Sequence, residues 1–229
     1  MRLDKLVCKS TELNKTDAVE LIQKGEVTVN GKVVVDERAQ VHENNQVLLN
    51  GAQLTPRAFR YLLMHKPANT ICSNKDEVYP SLFNSIEIEK VTELHIAGRL
   101  DADTTGLVLI TDDGRWSFNI ITPSKKCEKV YRVGLSRPIA PDVADKFKAG
   151  VKLQGETQLT SPAKLEVLSE KEVYLTITEG KFHQVKRMFA AVGNRVVRLH
   201  REKIGKLSLD VELGQWRYLT NEEVQSFID

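Results

Sequence analysis

The 229-residue chain has only three cysteines, Cys8, Cys72 and Cys127, and they are scattered along the sequence. An odd number of isolated cysteines forms neither a disulfide framework nor a paired set of metal ligands. This usage is typical of a reducing compartment, which we expect to be the cytoplasm.

Long apolar runs are also absent. The charged start, Met1-Arg2-Leu3-Asp4-Lys5, leads into no apolar core of a signal peptide. No run approaches the roughly 18 apolar residues that a membrane helix needs. We therefore expect a soluble protein without a membrane partner. Its length and its 41% hydrophobic content suit one large domain, or a medium-sized domain with a small partner domain.

Net charge is small, +2, and alone indicates no nucleic-acid partner. The distribution of charge is more informative. Residues 181–206 carry eight basic side chains against one acid, Glu202, and residues 125–132 carry four against one acid, Glu128. Local basic clusters of this kind are what a polyanionic partner requires. The alternative is a basic face that only meets solvent.

The first fifty residues form a pattern of their own. Leu3, Leu6 and Val7 follow a helical spacing. A second helix is predicted after Thr16 as its N-cap, with Gly25 as its C-terminal stop. Short apolar strands then flank Asn30-Gly31, a hairpin turn signal. The predicted order is two short helices followed by a small sheet.

This order resembles the S4 RNA-binding domain, on the opening Arg2-Leu3-Asp4-Lys5 and on residues 25–31, Gly-Glu-Val-Thr-Val-Asn-Gly. In that family the two helices and their connecting loop form the RNA face. The resemblance implies RNA contacts from Arg2, Lys5, Lys9 and Lys15, and the first three are spaced so that one helical face presents them. Residues 1–50 hold seven basic and eight acidic side chains, so we expect this module to bind RNA only weakly alone.

The rest of the chain follows a predicted linker over residues 51–60. Residues 61–229 alternate hairpin-like strand patterns with helices, two of which are closed by Gly150 and Gly193. This order favours an α+β fold built around a mainly antiparallel sheet with flanking helices. A helix is predicted over residues 182–192.

A loop ahead of the apolar run 107–111 holds the most informative residue, Asp101. Taken alone, Asp101 could react, bind a metal or cap a turn. The stretch beginning Asp101-Ala102-Asp103 partly fits a calcium-binding EF-hand loop. Its ninth position is Leu109, its twelfth is Asp112 rather than glutamate, and a strand pattern follows where a helix is needed. We therefore expect no metal site.

The segment 179–188 carries a second candidate. In the predicted helix, Phe182, Val185, Phe189 and Val192 make an apolar stripe, and Lys186 falls at its edge. A cation beside a core-facing stripe is rarely left without a partner. We predict that Lys186 meets a partly buried carboxylate; a lysine that merely extends to solvent is the alternative.

Three stretches together resemble the pseudouridine synthases, and specifically the branch that includes the small-subunit ribosomal enzyme. They are residues 97–107 (AGRLDADTTGL), 127–131 (CEKVY) and 179–189 (EGKFHQVKRMF). Their order and spacing match as well, and with the S4-like segment the resemblance covers nearly the whole chain.

The resemblance implies roles for individual residues. Asp101 matches the essential aspartate, Tyr131 the active-site tyrosine, and Lys186 the basic partner of the aspartate. Lysine departs from the arginine of several other branches and lacks its bidentate fork. Arg99 matches an arginine associated with holding the extruded-nucleotide site open. Phosphate contacts are expected from three further residues: Lys181, His183 and Arg187.

The implied reaction is the isomerisation of one uridine of 16S ribosomal RNA to pseudouridine. The bond from N1 to C1′ breaks and the base rejoins through C5, so no redox cofactor or group donor is needed. An ionised Asp101, held charged by Lys186, would attack the sugar, attack the base or remove a ribose proton. We expect a monomer acting on 16S RNA or on a small-subunit assembly intermediate. The alternatives are the same reaction on 23S RNA, or a non-catalytic RNA-binding or ribosome-assembly protein with this fold.

Overall fold

A computed structural model describes residues 1–228, and the chain divides into two compact units, Met1–Ala58 and Phe59–Asp229. Within the described residues, no helix is long and apolar enough to cross a membrane.

The first unit is a pair of helices with a small antiparallel sheet. Its elements are α1 (Leu3–Ser10), α2 (Lys15–Gln23), β1 (Val27–Val29), β2 (Lys32–Val33), β3 (Val47–Leu49) and β4 (Ala52–Gln53), and the strand order is β2-β1-β3-β4. Leu3, Val7 and Ile22 are fully buried in its core. Asn30 and Gly31 both have positive φ, as the hairpin signal predicted.

Two details of this unit differ from the sequence prediction. Asn14, rather than Thr16, caps α2, because its side chain accepts a hydrogen bond from the backbone N–H of Asp17. The predicted linker 51–60 contains β4, and Leu54 packs against the core of the first unit. Strand β4 could not be predicted from an alternation of apolar and polar residues, since it has only two residues.

The second unit is built on a mixed sheet. Its strands are β5 (Tyr61–Lys66), β6 (His95–Ala97), β7 (Thr105–Thr111), β8 (Lys129–Leu135), β9 (Lys164–Ser169), β10 (Glu172–Ile177), β11 (Val196–Ile204), β12 (Leu207–Ser208) and β13 (Trp216–Tyr218). Its helices are α3 (Gly114–Ile121), α4 (Val143–Ala149), α5 (Gln184–Ala191) and α6 (Asn221–Gln225).

The main strand order is β13-β5-β7-β11-β8-β10-β9, with β6 on β7 and β12 on β11. Every pairing is antiparallel except the one between β7 and β11. The predicted α+β fold around a mainly antiparallel sheet is therefore confirmed.

Helices cover both faces of this sheet. Phe147 of α4 and Phe189 of α5 pack on one face, while Trp116 of α3 and Phe227 after α6 pack on the other. Residues 107–110 of β7 are fully buried, because this central strand has apolar neighbours on both sides. A strand buried on both faces has a continuous apolar run instead of an alternating one.

The helix predicted over 182–192 begins later than expected. His183 has a positive φ of 47° and ends the loop, so α5 starts at Gln184. Phe182 therefore lies outside the helix and is 76% exposed, and its predicted place in the apolar stripe is wrong. Val185, Met188 and Phe189 form the buried side of α5 instead.

Candidate active site

The loop that carries Asp101 connects the antiparallel strands β6 and β7. Lys66, at the end of β5, is hydrogen-bonded to this loop. Its ammonium donates to the carbonyl oxygens of Pro67, Ala102 and Thr104, at 3.0, 3.2 and 2.9 Å respectively. The backbone N–H of Asn69 donates to the Ala102 carbonyl as well, at 2.8 Å. The backbone on either side of Asp101 is thereby fixed to the sheet.

Asp101 lies in an ion-pair network with three other side chains. Lys186 Nζ is 2.9 Å from Asp101 Oδ2 and 2.7 Å from Asp103 Oδ1, and His183 Nε2 is 3.3 Å from Asp101 Oδ1. The Asp101 side chain is 29% exposed, so the predicted pairing of Lys186 with a partly buried carboxylate is confirmed. His183, from which a phosphate contact is expected, faces this carboxylate.

Lys186 and Asp103 each stabilise the charged form of the other. Burial alone would lower the pKa of Lys186, but its hydrogen bonds to Asp101 and Asp103 raise that pKa above its ordinary value. Burial alone would raise the pKa of Asp103, but the hydrogen bond and charge of Lys186 lower it. Lys186 and Asp103 are therefore both charged at neutral pH.

Tyr131 lies on β8 and is 8% exposed. Arg201, on the neighbouring strand β11, is 2% exposed and donates from Nη1 to the Tyr131 hydroxyl at 3.3 Å. The same guanidinium donates from Nη2 to the Gly98 carbonyl at 2.7 Å and from Nε to the Leu107 carbonyl at 2.7 Å. One buried arginine thus ties Tyr131 to both ends of the Asp101 loop.

Gly106 makes this arrangement possible at the backbone level. It has a φ of +114° and pairs with Arg201 in the parallel ladder between β7 and β11. A Cβ atom at this position would lie 2.3 Å from the Arg201 carbonyl oxygen, closer than any side chain tolerates. Only glycine fits both the conformation and the close approach.

Two buried lysines add positive charge near the same site. Lys66 is fully buried, and Lys129 is 5% exposed with its ammonium on the carbonyls of Ile120 and Cys127 at 2.7 and 2.8 Å. Burial lowers the pKa of both lysines. Their hydrogen bonds within residues 1–228 go to neutral carbonyl oxygens.

A cleft of about 600 Å³ lies beside these groups. Asp101, Tyr131, Lys186 and Arg201 share its wall with the apolar side chains of Leu199 and Ile177. A concave, partly apolar site with a few convergent charged groups is the usual form of a small-ligand or nucleotide site.

Of the remaining predicted contacts of this unit, Arg99 and Lys181 line the cleft, whereas Arg187 is not part of its lining. Arg99 is exposed and lines it, with no hydrogen bond or ion pair to another side chain among residues 1–228. Lys181 and Arg187 each lie 3.3 Å from a carboxylate oxygen of Glu156. The basic segment 181–206 is therefore only partly available to a polyanion, because Glu156, Asp101 and Asp103 already neutralise several of its charges.

The predicted RNA-binding face of the first unit is arranged differently from the expectation. Helix α1 begins at Leu3, so Arg2 precedes it and forms two hydrogen bonds to Asp4, at 3.0 and 2.7 Å. Lys9 is only 5% exposed. Lys5 and Lys15 are exposed. Helical spacing identified residues on one side of α1 but not which of them is covered.

The structure contradicts the calcium alternative. Residues 105–111 form β7, so half of the supposed twelve-residue loop is an extended strand buried in the sheet. No cluster of three or more histidine, cysteine or acidic side chains with metal-binding geometry occurs in the described part of the chain.

Comparison with known proteins places this geometry in a family. The model for RNA pseudouridylate synthases matches residues 60–191, and the S4 domain model matches residues 1–47. The chain belongs to the RNA pseudouridylate synthase family. It is therefore an enzyme of the isomerase class with an N-terminal S4 domain.

Relatives match over the full length of the chain. The ribosomal small subunit pseudouridine synthase A of Vibrio cholerae is 49% identical over 99% of both chains. The protein of the same name from Escherichia coli K12 is 45% identical over the whole of both chains. A crystal structure titled as a pseudouridylate synthase is 41% identical, covers 99% of both chains and superposes with a TM-score of 0.73.

Several residues of this candidate site were not predicted from the sequence. Arg201 was counted only as one charge of a basic segment, because its contacts depend on the pairing of β7 with β11. The burial of Lys66 and Lys129 could not be predicted, since in the sequence each is an ordinary lysine at the end of a strand. Asp103 was considered only as part of the EF-hand pattern, yet it shares Lys186 with Asp101.

Proposed function

We propose that this enzyme isomerises one uridine of 16S ribosomal RNA to pseudouridine, as a monomer in the cytoplasm. The observation that carries the reaction is the placement of Asp101 on the wall of the cleft with Lys186 at 2.9 Å. The substrate assignment is supported by full-length relatives named ribosomal small subunit pseudouridine synthase A at 45–49% identity.

In the proposed mechanism the target uridine leaves its stack and enters the cleft. Removing a base from a helix costs a few kcal/mol, which contacts to the base and backbone must offset. Arg99, which lines the cleft, holds the extruded nucleotide, and Tyr131 packs on the base. Tyr131 is well suited to this, because Arg201 fixes its hydroxyl.

Asp101 then acts as the nucleophile or base that breaks the bond from N1 to C1′. The bonding electrons stay on the uracil ring, which becomes anionic, and the buried charges of Arg201, Lys66 and Lys129 stabilise it. The ring turns and C5 bonds to C1′ as Asp101 returns to its starting state. The C5 proton leaves with Tyr131 assisting its transfer, and N1 takes up a proton, so the product is an isomer of uridine. Atoms and electrons balance without any added group.

RNA outside the cleft is bound by positive side chains of both units. Lys181 and Arg187 contact phosphates once Glu156 is displaced or bridged, while Lys5 and Lys15 of the S4 domain contact other parts of the RNA backbone. Each such contact adds sequence-independent, salt-sensitive affinity.

The test uses 16S RNA transcribed with uridine carrying tritium at C5. Because the C5 hydrogen is expelled in the reaction, tritium release counts turnovers. We expect tritium release from one site, on naked RNA or on an assembly intermediate. In cells that lack the protein, we expect ribosomal RNA to lack the pseudouridine at that site.

Other outcomes discriminate the alternatives. Release from 23S RNA alone would contradict the small-subunit assignment. Tight RNA binding with no release from either RNA or from precursor particles would indicate a non-catalytic assembly protein. A dimer in analytical ultracentrifugation would contradict the monomer.

A further inference from the structure

Phe182 is the most exposed aromatic side chain among residues 1–228 and lies at the edge of the catalytic cleft. It is 76% exposed, whereas Phe118, Tyr218 and Tyr79 are 54%, 51% and 39% exposed and do not line the cleft. A large apolar ring left in water beside a binding site needs an explanation.

The ring is held in a fixed orientation. One of its faces stacks on His183, with ring centroids 3.7 Å apart and planes 23° apart. His183 in turn reaches Asp101 at 3.3 Å. His183 therefore lies between the Asp101 carboxylate and the ring of Phe182, and the other face of the Phe182 ring is exposed.

The backbone around Phe182 is also fastened. Its carbonyl accepts a hydrogen bond from Arg187 Nη1 at 3.0 Å. The N–H of Lys181 donates to the side chain of Gln184 at 2.8 Å, and Gln184 donates to Glu179 at 2.7 Å. Little conformational freedom is lost when a ligand binds to such a segment.

The charged side chains around Phe182 indicate which class of ligand its ring would bind. Lys181 and Arg187, which share the carboxylate of Glu156, flank Phe182, and Arg99 lines the same cleft, so cationic side chains lie beside the exposed ring. An aromatic face inside a cationic rim is the arrangement that binds single-stranded nucleic acid, where bases stack and phosphates pair.

We infer that the free face of Phe182 is a stacking site for an unpaired base next to the target uridine. The inference rests on the proposed action on RNA and extends it by a subsite for a flanking nucleotide. An empty place in the RNA stack is left when the uridine is extruded, and Phe182 supplies a replacement surface for the neighbouring base.

The experiment measures binding and turnover separately, with 16S RNA fragments as probe. In Phe182→Ala, the Kd and KM should rise about 5- to 150-fold, from about 1–3 kcal/mol per stacked base, while kcat changes little. Phe182→Trp should retain wild-type affinity, and Phe182→Leu, which is apolar without an aromatic face, should not. Phe118→Ala is the matched control and should behave as wild type.

A second set of probes identifies the partner. Abasic residues are placed one at a time on either side of the target. At one position the abasic RNA should bind wild type more weakly than the intact RNA does. The same abasic RNA should bind Phe182→Ala as well as intact RNA does, since this variant already lacks the aromatic ring on which the base would stack.

Several results would overturn the inference. They are an unchanged KM in Phe182→Ala, full affinity in Phe182→Leu, no abasic position that removes the difference, and a fall in kcat alone, which would show that Phe182 only positions His183. An effect on ribonucleoprotein particles but not on naked RNA would indicate a protein contact and also overturn it. Absence of turnover by wild type would contradict the proposed function instead, and binding of the RNA would still test the stacking site.

Discussion

The replacement of Arg201 by lysine tests how the two halves of the site are held together. Arg201 makes three hydrogen bonds from a buried position, to the Leu107 carbonyl, the Gly98 carbonyl and the Tyr131 hydroxyl. Lysine keeps the charge and most of the length but lacks the planar fork, so it can satisfy only part of this set.

The expected loss follows from these bonds. A hydrogen bond from a charged donor contributes about 1.5–3 kcal/mol, so losing two of the three costs about 3–6 kcal/mol. Water cannot replace them easily, because Arg201 is 2% exposed. For a domain of this size, about 2–4 °C is lost per kcal/mol, and Arg201→Lys should melt at least about 6 °C below wild type.

Activity should fall as well, since the Asp101 loop and Tyr131 lose their common anchor. A misplacement of about 1 Å in a catalytic group costs roughly 100-fold in rate, which is the decrease in kcat we expect.

Both tryptophans, Trp116 and Trp216, lie in the second unit, so tryptophan fluorescence reports its unfolding selectively. Arg198→Lys, on the same strand but 65% exposed, is the control and should change stability by less than about 0.5 kcal/mol. An Arg201→Lys enzyme with wild-type melting temperature and wild-type kcat would refute the anchoring role.

Three further predictions concern the backbone, the pH dependence and the S4 domain. Gly106→Ala should destabilise the second unit by about 3 kcal/mol or more in denaturant titrations, because its Cβ meets a backbone carbonyl at 2.3 Å. Gly214→Ala, with a similar positive φ but open space around it, should cost only about 1–2 kcal/mol. Asp103→Asn should be less stable than wild type at pH 7, and the difference should begin to shrink near pH 4 and disappear only below the folded pKa of Asp103, which Lys186 holds below its ordinary value. Lys5→Gln should weaken RNA binding for all sequences alike and reduce the slope of log Kd against log salt by about 1.

Each of these has an outcome that contradicts its reasoning. Equal stability losses in Gly106→Ala and Gly214→Ala would show that the close approach to β11 is not limiting. A stability difference for Asp103→Asn that persists unchanged at pH 3 would exclude the charge as its source. An unaltered salt slope in Lys5→Gln would remove Lys5 from the RNA interface.

The fold was predictable where the sequence has a strong period or a specific turn. The strands around Asn30-Gly31 and the capping box at Thr220 are local features that need no tertiary information. The start of α5 was not predictable, because the left-handed conformation of His183 is imposed by its surroundings and the apolar Phe182 imitates one more turn of helix.

The site was predictable only in part, for a similar reason. The edge position of Lys186 on a helix indicated a carboxylate partner, and a resemblance to known motifs identified which one. Arg201 needs the parallel pairing of β7 with β11, which joins residues about a hundred positions apart. No local pattern records such a pairing, so its three-way contact was visible only in the structure.

The most direct test of the central claim is tritium release from C5-labelled 16S RNA by the Asp101→Asn enzyme. Asparagine preserves the size of the side chain but removes the charge that faces Lys186. We predict that release falls to the background of the uncatalysed reaction while the Kd for RNA stays within about threefold of wild type. Release at a rate near that of wild type would contradict the assignment of the reaction to Asp101.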